Sequence, residues 1–477
     1  MSNNARTILV AGGYAPSLVN FRAPFLKALR AARHKVVATA AEDDVNVSAT
    51  LAEMGITYQC VPLKRAGVSP VADLRYLDGL QRLMERERPD LILAYTHKPV
   101  VYTALAAARL AQRPRVYPLI TGLGFAFTSR GPKPWLARQV LKLLYRRASR
   151  HFSGVFFQNP DDQALFKQLG LVRPGTPQCI IRGSGVDVSA FSYLPLVNKD
   201  QPSLTRFLLI ARLLGDKGIR EYISAARLIK AEHPRVEFHL VGPVDSNPAA
   251  IPQSEVETWQ QAGVIIYHGP QSDVRPYLRD CTAYVLPSYR EGTPRTVLEA
   301  MATGRAVITT DAPGCRETIF GAKLAGPDGV SEGKNGFLVP VGSIDPLAAA
   351  MRRFWDDPTL ALRMGVEGRR LAEQHYDVVK VNRQMLQFMN LCPRSQPGES
   401  TLAALGDIIN QVRENKGQPP LGELHPGSRL REEIGFESLD LAEFTVRIEE
   451  KFGVDVFADG LVHTVGEIQD RISRAAH

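Results

Sequence analysis

Two glutamates eight positions apart, Glu291 and Glu299, lie in YREGTPRTVLEA (Tyr289–Ala300), directly after the apolar run AYVLPS. Thr293 is a good N-cap and Pro294 suits a first helical position, so a helix is expected to start there and to carry Glu299 on its second turn. Glu291 then stands just outside the N-terminus, with Glu299 about 9 Å along the axis. One carboxylate could take sugar hydroxyls and the other ribose hydroxyls, while the free N–H groups and positive dipole end between them face a diphosphate. The same residues also fit a plain capped helix with two solvated glutamates.

Further candidates follow other apolar runs. After RFLLIAR, the segment LLGDKG places Arg212 and Lys217 at the carboxyl edge of a sheet, where open α/β sheets bind ligands. Cations there neutralise a diphosphate leaving group; taken alone, Lys217 is a surface lysine beside a helix cap. Gly12 and Gly13 follow the opening strand and let backbone amides approach phosphate or sugar oxygens, although many turns contain such a pair. His97 follows LILAYT, in THKP, where an isolated histidine is by default structural. AGGYAP lacks the GxGxxG spacing of a nicotinamide-binding turn, which sets an oxidoreductase below a transferase.

Ser438 lies in GFESLDLAEFTVRIEEKFGVDVF (Gly435–Phe457), where by itself it is a helix-capping serine. The charge balance around it is distinctive. Residues 1–397 hold 50 Lys and Arg against 34 Asp and Glu, whereas residues 398–477 hold 8 against 15, so two modules with different partners are expected. The five cysteines are never closer than 34 residues, which suggests neither a CxxC metal site nor a disulfide framework.

The elements that must position these residues alternate. Strand, helix, strand patterns start at RTILV (Arg6–Val10), a helix over about Phe21–Arg33 and HKVVATA, and continue through PDLILAY, Val116–Ile120 and Gly154–Gln158. A second series runs through RFLLIAR, EFHLVG, VIIYHG, AYVLPS and AVITT, with a helix over Gly218–Ala231 and a helical segment from about Asp345 to Met389 that should close it. In the tail, Leu402, Leu405, Ile408, Ile409 and Val412 recur at helical spacing, as do Leu441, Phe444, Ile448 and Phe452, so a small helical bundle is expected. The expected domains are 1–191, 204–390 and 398–477.

Arg212, Lys217 and the Glu291–Glu299 spacing resemble the donor site of retaining family 4 glycosyltransferases, with GSGVD (Gly183–Asp187) and KNGFLVP (Lys334–Pro340) extending the likeness over about residues 6–390. The resemblance implies an α/β GT-B fold of two facing Rossmann-like domains, an N-terminal acceptor domain and a C-terminal donor domain. It also implies catalytic roles for His97, Glu291, Arg212 and Lys217. Glu291 would contact the donor sugar, Glu299 the ribose, Arg212 and Lys217 the diphosphate, with Gly12, Gly13, Gly292, Thr293 and Pro294 also lining the donor. A UDP-linked sugar is the implied donor, and no DxD-like metal pair stands at the site. Gly435–Phe457, with the final TVGEI, resembles acyl carrier proteins, which implies an all-α domain bearing 4′-phosphopantetheine on Ser438. Asp440, Glu443, Glu449 and Glu450 would form its acidic face; Glu437 replaces the usual Asp before the serine.

From Leu91 to Pro160 there is no Asp or Glu but eleven Lys and Arg, and KPWLARQVLKLLYRRASRHF has the pattern of a basic amphipathic helix. Such a helix can lie on an anionic membrane surface or pack on the sheet with a solvated basic face. No nucleic-acid motif accompanies the charge. THKP and ITGLGFAF (Ile120–Phe127) resemble transferases that extend undecaprenyl-diphosphate-linked glycans, so a polyprenyl-diphosphate-linked glycan is the implied acceptor. No apolar run approaches the ~18 residues of a spanning helix, and MSNNARTILVAGG has no signal-peptide zones. A cytoplasmic protein peripheral on the inner membrane face is expected. Its further partners would be a phosphopantetheinyl transferase and a separate acyl- or aminoacyl-transferring enzyme. The alternative is a non-catalytic docking scaffold whose carrier recruits that enzyme.

Overall fold

The computed structural model describes residues 5–64, 69–122, 132–196, 205–245, 250–391, 397–422, 424–457, 460 and 462–475. They form two compact units, Met1–Leu391 and Cys392–His477. Positions 123–127 of the ITGLGFAF segment fall outside the described residues.

In the first unit, strands β1 (Thr7–Ala11), β2 (Lys35–Ala40), β3 (Thr57–Cys60), β4 (Leu91–Tyr95), β5 (Arg115–Ile120), β6 (Val155–Phe157) and β7 (Gln178–Ile180) form a parallel sheet in the order β3-β2-β1-β4-β5-β6-β7. A second sheet holds β8 (Arg206–Ile210), β9 (Glu237–Val241), β10 (Ile266–Tyr267), β11 (Ala283–Leu286), β12 (Ala306–Thr310), β13 (Ser331–Gly333) and β14 (Gly336–Val339). Its order is β10-β9-β8-β11-β12-β14-β13, parallel except for the β13–β14 hairpin. Central strands such as Ile8–Ala11, Leu91–Tyr95 and Ala306–Thr310 are buried along their length because helices cover both faces, which is why they read as continuous apolar runs.

Strand order reverses between β1 and β4 in one sheet and between β8 and β11 in the other. Ligands of open α/β sheets bind at the carboxyl ends of strands flanking such a reversal. Gly12 and Gly13 follow β1, His97 follows β4, Arg212 and Lys217 follow β8, and Glu291 follows β11. The topology therefore gathers every transferase candidate at the two switch points.

Three details differ from the sequence expectation. The helix expected over Phe21–Arg33 spans Ala23–Ala31, starting where Pro24 fits a first turn, and a separate short helix, Pro16–Asn20, that was not expected precedes it. The edge strands β3, β7 and β13 are short and only partly buried, so they lack a strong apolar signal. Helices Ile344–Asp356 and Pro358–Leu371 pack on the second sheet, through Leu347, Met351, Phe354 and Met364. Helix Val378–Phe388, expected to close the same domain, instead returns to the first: Val381 and Met385 join a core with Ile8, Val10 and Phe156. Phe388 stacks edge-on at 4.8 Å from Phe156, and Gly154 leaves the space, since a Cβ there would lie 2.7 Å from the Phe388 ring.

The second unit has helices Pro397–Asn415, Ser438–Phe452 and Val465–Ala475 around a core that includes Leu405, Ile409, Val412, Phe444, Ile448 and Ile468. It is the small helical bundle expected from the tail periodicity.

Candidate functional site

Lys217 ends a short 3-10 turn, Gly215–Lys217, after β8, and Gly218 follows at φ 69°. A Cβ at Gly218 would lie 2.1 Å from the Pro287 carbonyl oxygen, so only glycine lets this turn pack on the loop after β11. That packing brings Lys217 Nζ to 2.6 Å from Glu291 Oε1, and the Ser288 hydroxyl donates to the same oxygen at 2.7 Å. Burial alone would lower the Lys217 ammonium, but the Glu291 carboxylate outweighs it and the net shift is upward. Arg212 is not part of this pair; it is exposed and bridges to Asp245 at 2.8 Å.

The helix after Glu291 runs Arg295–Thr303, with Pro294 at the N-cap and no side-chain cap. This corrects the expected cap by one residue. The Thr293 hydroxyl donates to the Gln158 carbonyl at 3.1 Å, across to the first sheet's domain, and so is not available to the helix. At Gly292 a Cβ would lie 2.2 Å from Gln158 Oε1 and 2.6 Å from the Thr121 carbonyl oxygen, so glycine permits the close approach of the two domains. Glu299 is buried and pairs with Arg295 at 2.8 Å, one turn earlier. Burial pushes its carboxyl up, partly offset by Arg295. Arg295 also donates to the Asn20 carbonyl and lies 5.5 Å over the Phe21 ring.

On the first domain, a Cβ at Gly12 would lie 2.4 Å from the Tyr95 hydroxyl, and one at Gly13 would lie 3.0 Å from Thr96 Oγ1. Both glycines thus make room for the end of β4. His97 opens helix His97–Ala107 after Thr96, which is held at φ 67°, and its Nδ1 lies 2.8 Å from the hydroxyl of the buried Tyr145.

Sequence reading missed the contacts that join the domains. Asn159 caps helix Pro160–Gln168 by accepting from the Asp162 N–H, and its Nδ2 donates to the Gly292 carbonyl at 2.9 Å. Arg290 pairs with the fully buried Asp162, and Arg316 bridges Asp161 and Asp311 at 2.6 Å each. NPDD was legible as a cap followed by an acidic first turn; its partners, more than 120 positions away, were not.

Helix Pro132–Ala148 carries the basic amphipathic pattern. Tyr145 and Ala148 are buried, Leu141 and Leu144 pack on the core, and Trp135, Leu136 and Leu143 are exposed. Beside its end lies an open cavity of about 1140 Å³ whose charged lining is Arg146, Arg150, Lys167 and Arg173.

In the second unit, Ser438 is the exposed first residue of its helix. Glu437 is the N-cap, and Asp440 accepts from the Glu437 N–H at 2.7 Å to complete a capping box. Leu439 beside the serine is 81% exposed, so the hydroxyl lies open to a modifying enzyme. The acidic face is smaller than expected. Asp440 is buried and bonded to Lys416, and Glu443 is held by Asn415 and Arg447.

Two facing doubly wound sheets with the candidate site at their switch points have the GT-B fold, and the family matches over both sheets and the bundle make the chain a glycosyltransferase of that fold with a C-terminal phosphopantetheine attachment domain. Residues 23–181 match the Glycosyl transferase 4-like domain, 205–357 match Glycosyl transferases group 1, and 408–472 match the Phosphopantetheine attachment site. The chain is 29% identical over 317 residues to the N,N'-diacetylbacillosaminyl-diphospho-undecaprenol alpha-1,3-N-acetylgalactosaminyltransferase of Campylobacter jejuni, covering 64% of this chain and 81% of that one. It is 26% identical over 316 residues to the UDP-Gal:alpha-D-GlcNAc-diphosphoundecaprenol alpha-1,3-galactosyltransferase of Escherichia coli, covering 63% and 75%. Among solved structures, Anabaena Alr3699/HepE in complex with UDP shares the fold at a TM-score of 0.64 and 19% identity, over 80% of this chain and 99% of that one. Among the described residues, no group of His, Cys, Asp and Glu is placed to hold a metal ion, and no helix is long and apolar enough to cross a membrane.

Proposed function

We propose that the chain moves a sugar, with retention, from a UDP-linked donor to a hydroxyl of a polyprenyl-diphosphate-linked glycan. The observation that carries this reading is the Lys217–Glu291 pair beside the N-terminus of helix Arg295–Thr303. Arriving donor hydroxyls take up Glu291, and the released Lys217 ammonium meets the diphosphate together with Arg212 and the N–H groups following Thr293 and Pro294. Glu299 accepts from the ribose hydroxyls. Gly12, Gly13, Gly292 and His97 line the sugar side of the cleft. The bond from C1 to the diphosphate oxygen breaks, the acceptor hydroxyl bonds to C1 on the same face, and its proton passes to the departing phosphate.

Undecaprenol-linked acceptors in the names of the two relatives support the acceptor class. Exposed Trp135, Leu136 and Leu143 beside Arg146 and Arg150 suit the anionic inner face of a membrane, where such a lipid resides. The domains are read as 1–191 for the acceptor, 204–390 for the donor apart from helix Val378–Phe388, which packs on the acceptor domain, and 398–477 for the carrier. Ser438 would bear the phosphopantetheine through its hydroxyl, and that arm supplies a thioester for an acyl or aminoacyl group. The group is loaded and delivered by separate enzymes. Radiolabelled transfer from a panel of nucleotide sugars to a short lipid-diphosphate glycan tests the reading; no transfer from any donor would refute it.

A further inference from the structure

We propose that Arg22 is a donor-binding residue of the first domain, its guanidinium taking an oxygen of the diphosphate that joins nucleoside and sugar. This rests on the donor-site reading above and adds to it a cation that no motif marks.

Arg22 sits in the break between helices Pro16–Asn20 and Ala23–Ala31 and is 4% exposed. Its guanidinium lies 4.9 Å over the Tyr95 ring and Nη1 donates to the Ser184 hydroxyl at 3.2 Å, while Nε is buried without a partner. Among the described residues no carboxylate pairs with it, and the nearby Arg295 opposes its charge. A buried cation without a counter-charge is a cost to the free fold. Such costs concentrate where a ligand brings the missing charge.

The surroundings say which anion fits. Ser184 follows Gly183, where a Cβ would lie 2.8 Å from Thr293 Cβ, so Arg22 is carried to the start of helix Arg295–Thr303. Helix N-terminal N–H groups are a diphosphate site, and a guanidinium from the other domain would complete it with a charge-assisted bond. Gly12 serves the same arrangement: without its missing Cβ the Tyr95 ring, on which Arg22 rests, could not occupy its place.

The test is thermal unfolding and calorimetric UDP titration of the full chain as wild type, Arg22→Met and Arg22→Lys. Free Arg22→Met should unfold no earlier than wild type, because a lone buried charge is removed, yet bind UDP at least about tenfold more weakly. Arg22→Lys should fall between. Unchanged UDP affinity in Arg22→Met overturns the proposal, and if the KM for the lipid-linked acceptor rises instead, the guanidinium serves the acceptor's diphosphate. Should Arg22→Met lose stability, Arg22→Lys decides: weakened UDP binding in the intact fold supports the proposal, and wild-type binding refutes it. A wild type that ignores every nucleoside diphosphate overturns the donor-site reading as well.

Discussion

Lys217 Nζ and Glu291 Oε1 stand 2.6 Å apart at the mouth of the second switch point, each side chain less than a fifth exposed. The two side chains are therefore each other's ion-pair partner in the free fold. Lys217→Ala leaves the Glu291 carboxylate with only Ser288 and should cost about 1–3 kcal/mol of stability. Sugar transfer should fall by about 100-fold or more. Urea unfolding and initial rates check the two effects separately, and a rate near wild type would remove Lys217 from the reaction.

The same pair sets a pH expectation. Because the Lys217 ammonium is raised above its ordinary 10.5, its stabilisation is fully present below that pH and is lost only as pH rises through the higher folded value. A basic limb of activity centred below pH 10.5 must then come from another group, and it should persist in a Lys217→Arg variant with residual activity.

Glu299 loses its contribution in the same direction of pH, but because the fold favours its neutral form. Its folded pKa is raised above 4.5, so the fold favours the protonated carboxyl and loses that contribution as pH rises from 4.5 through the folded value. The ionised form is the better acceptor for ribose hydroxyls, so UDP binding should weaken on acidification with a midpoint above 4.5. Calorimetry across that range should show the midpoint in wild type and a flat, weaker profile in Glu299→Gln.

The Arg290–Asp162 bridge ties the loop carrying Glu291 to the first domain. Asp162→Ala strands Arg290 in a mostly buried place and should cost about 3 kcal/mol. The loss should appear in chemical denaturation together with a lower kcat, whereas an independent pair of domains would lose neither.

How much of this was legible in the sequence depends on distance along the chain. Glu291, Lys217 and Arg212 could be singled out because each follows an apolar strand at a short interval in a pattern that resembles a donor site, and the sheet order places all three after strands that flank one switch point. Arg295 was legible in principle, four positions before Glu299, a spacing that puts both on one helix face. Arg22 was hidden because nothing local marks a buried arginine. Its partners Tyr95 and Ser184 are set by tertiary packing, and the proline that places it reads only as a helix break. Asp440 looked like surface acid until the capping box and Lys416 took it inward.

In the carrier domain the cap belongs to Glu437 and not to Ser438. Ser438→Ala should therefore unfold within about 0.5 kcal/mol of wild type, whereas Glu437→Ala should lose about 1 kcal/mol. After incubation with coenzyme A and a phosphopantetheinyl transferase, intact mass should rise in wild type and Glu437→Gln but not in Ser438→Ala. No increase in wild type would leave the bundle a docking domain.

Opening of the Lys217–Glu291 pair to a nucleotide-sugar donor is read from transfer of labelled sugar from a UDP-sugar panel to a lipid-diphosphate glycan. Wild type and Lys217→Ala should be assayed side by side in the full chain. Labelled lipid should form from at least one donor with wild type and almost none with Lys217→Ala. Equal labelling by the two proteins would exclude Lys217 from donor binding.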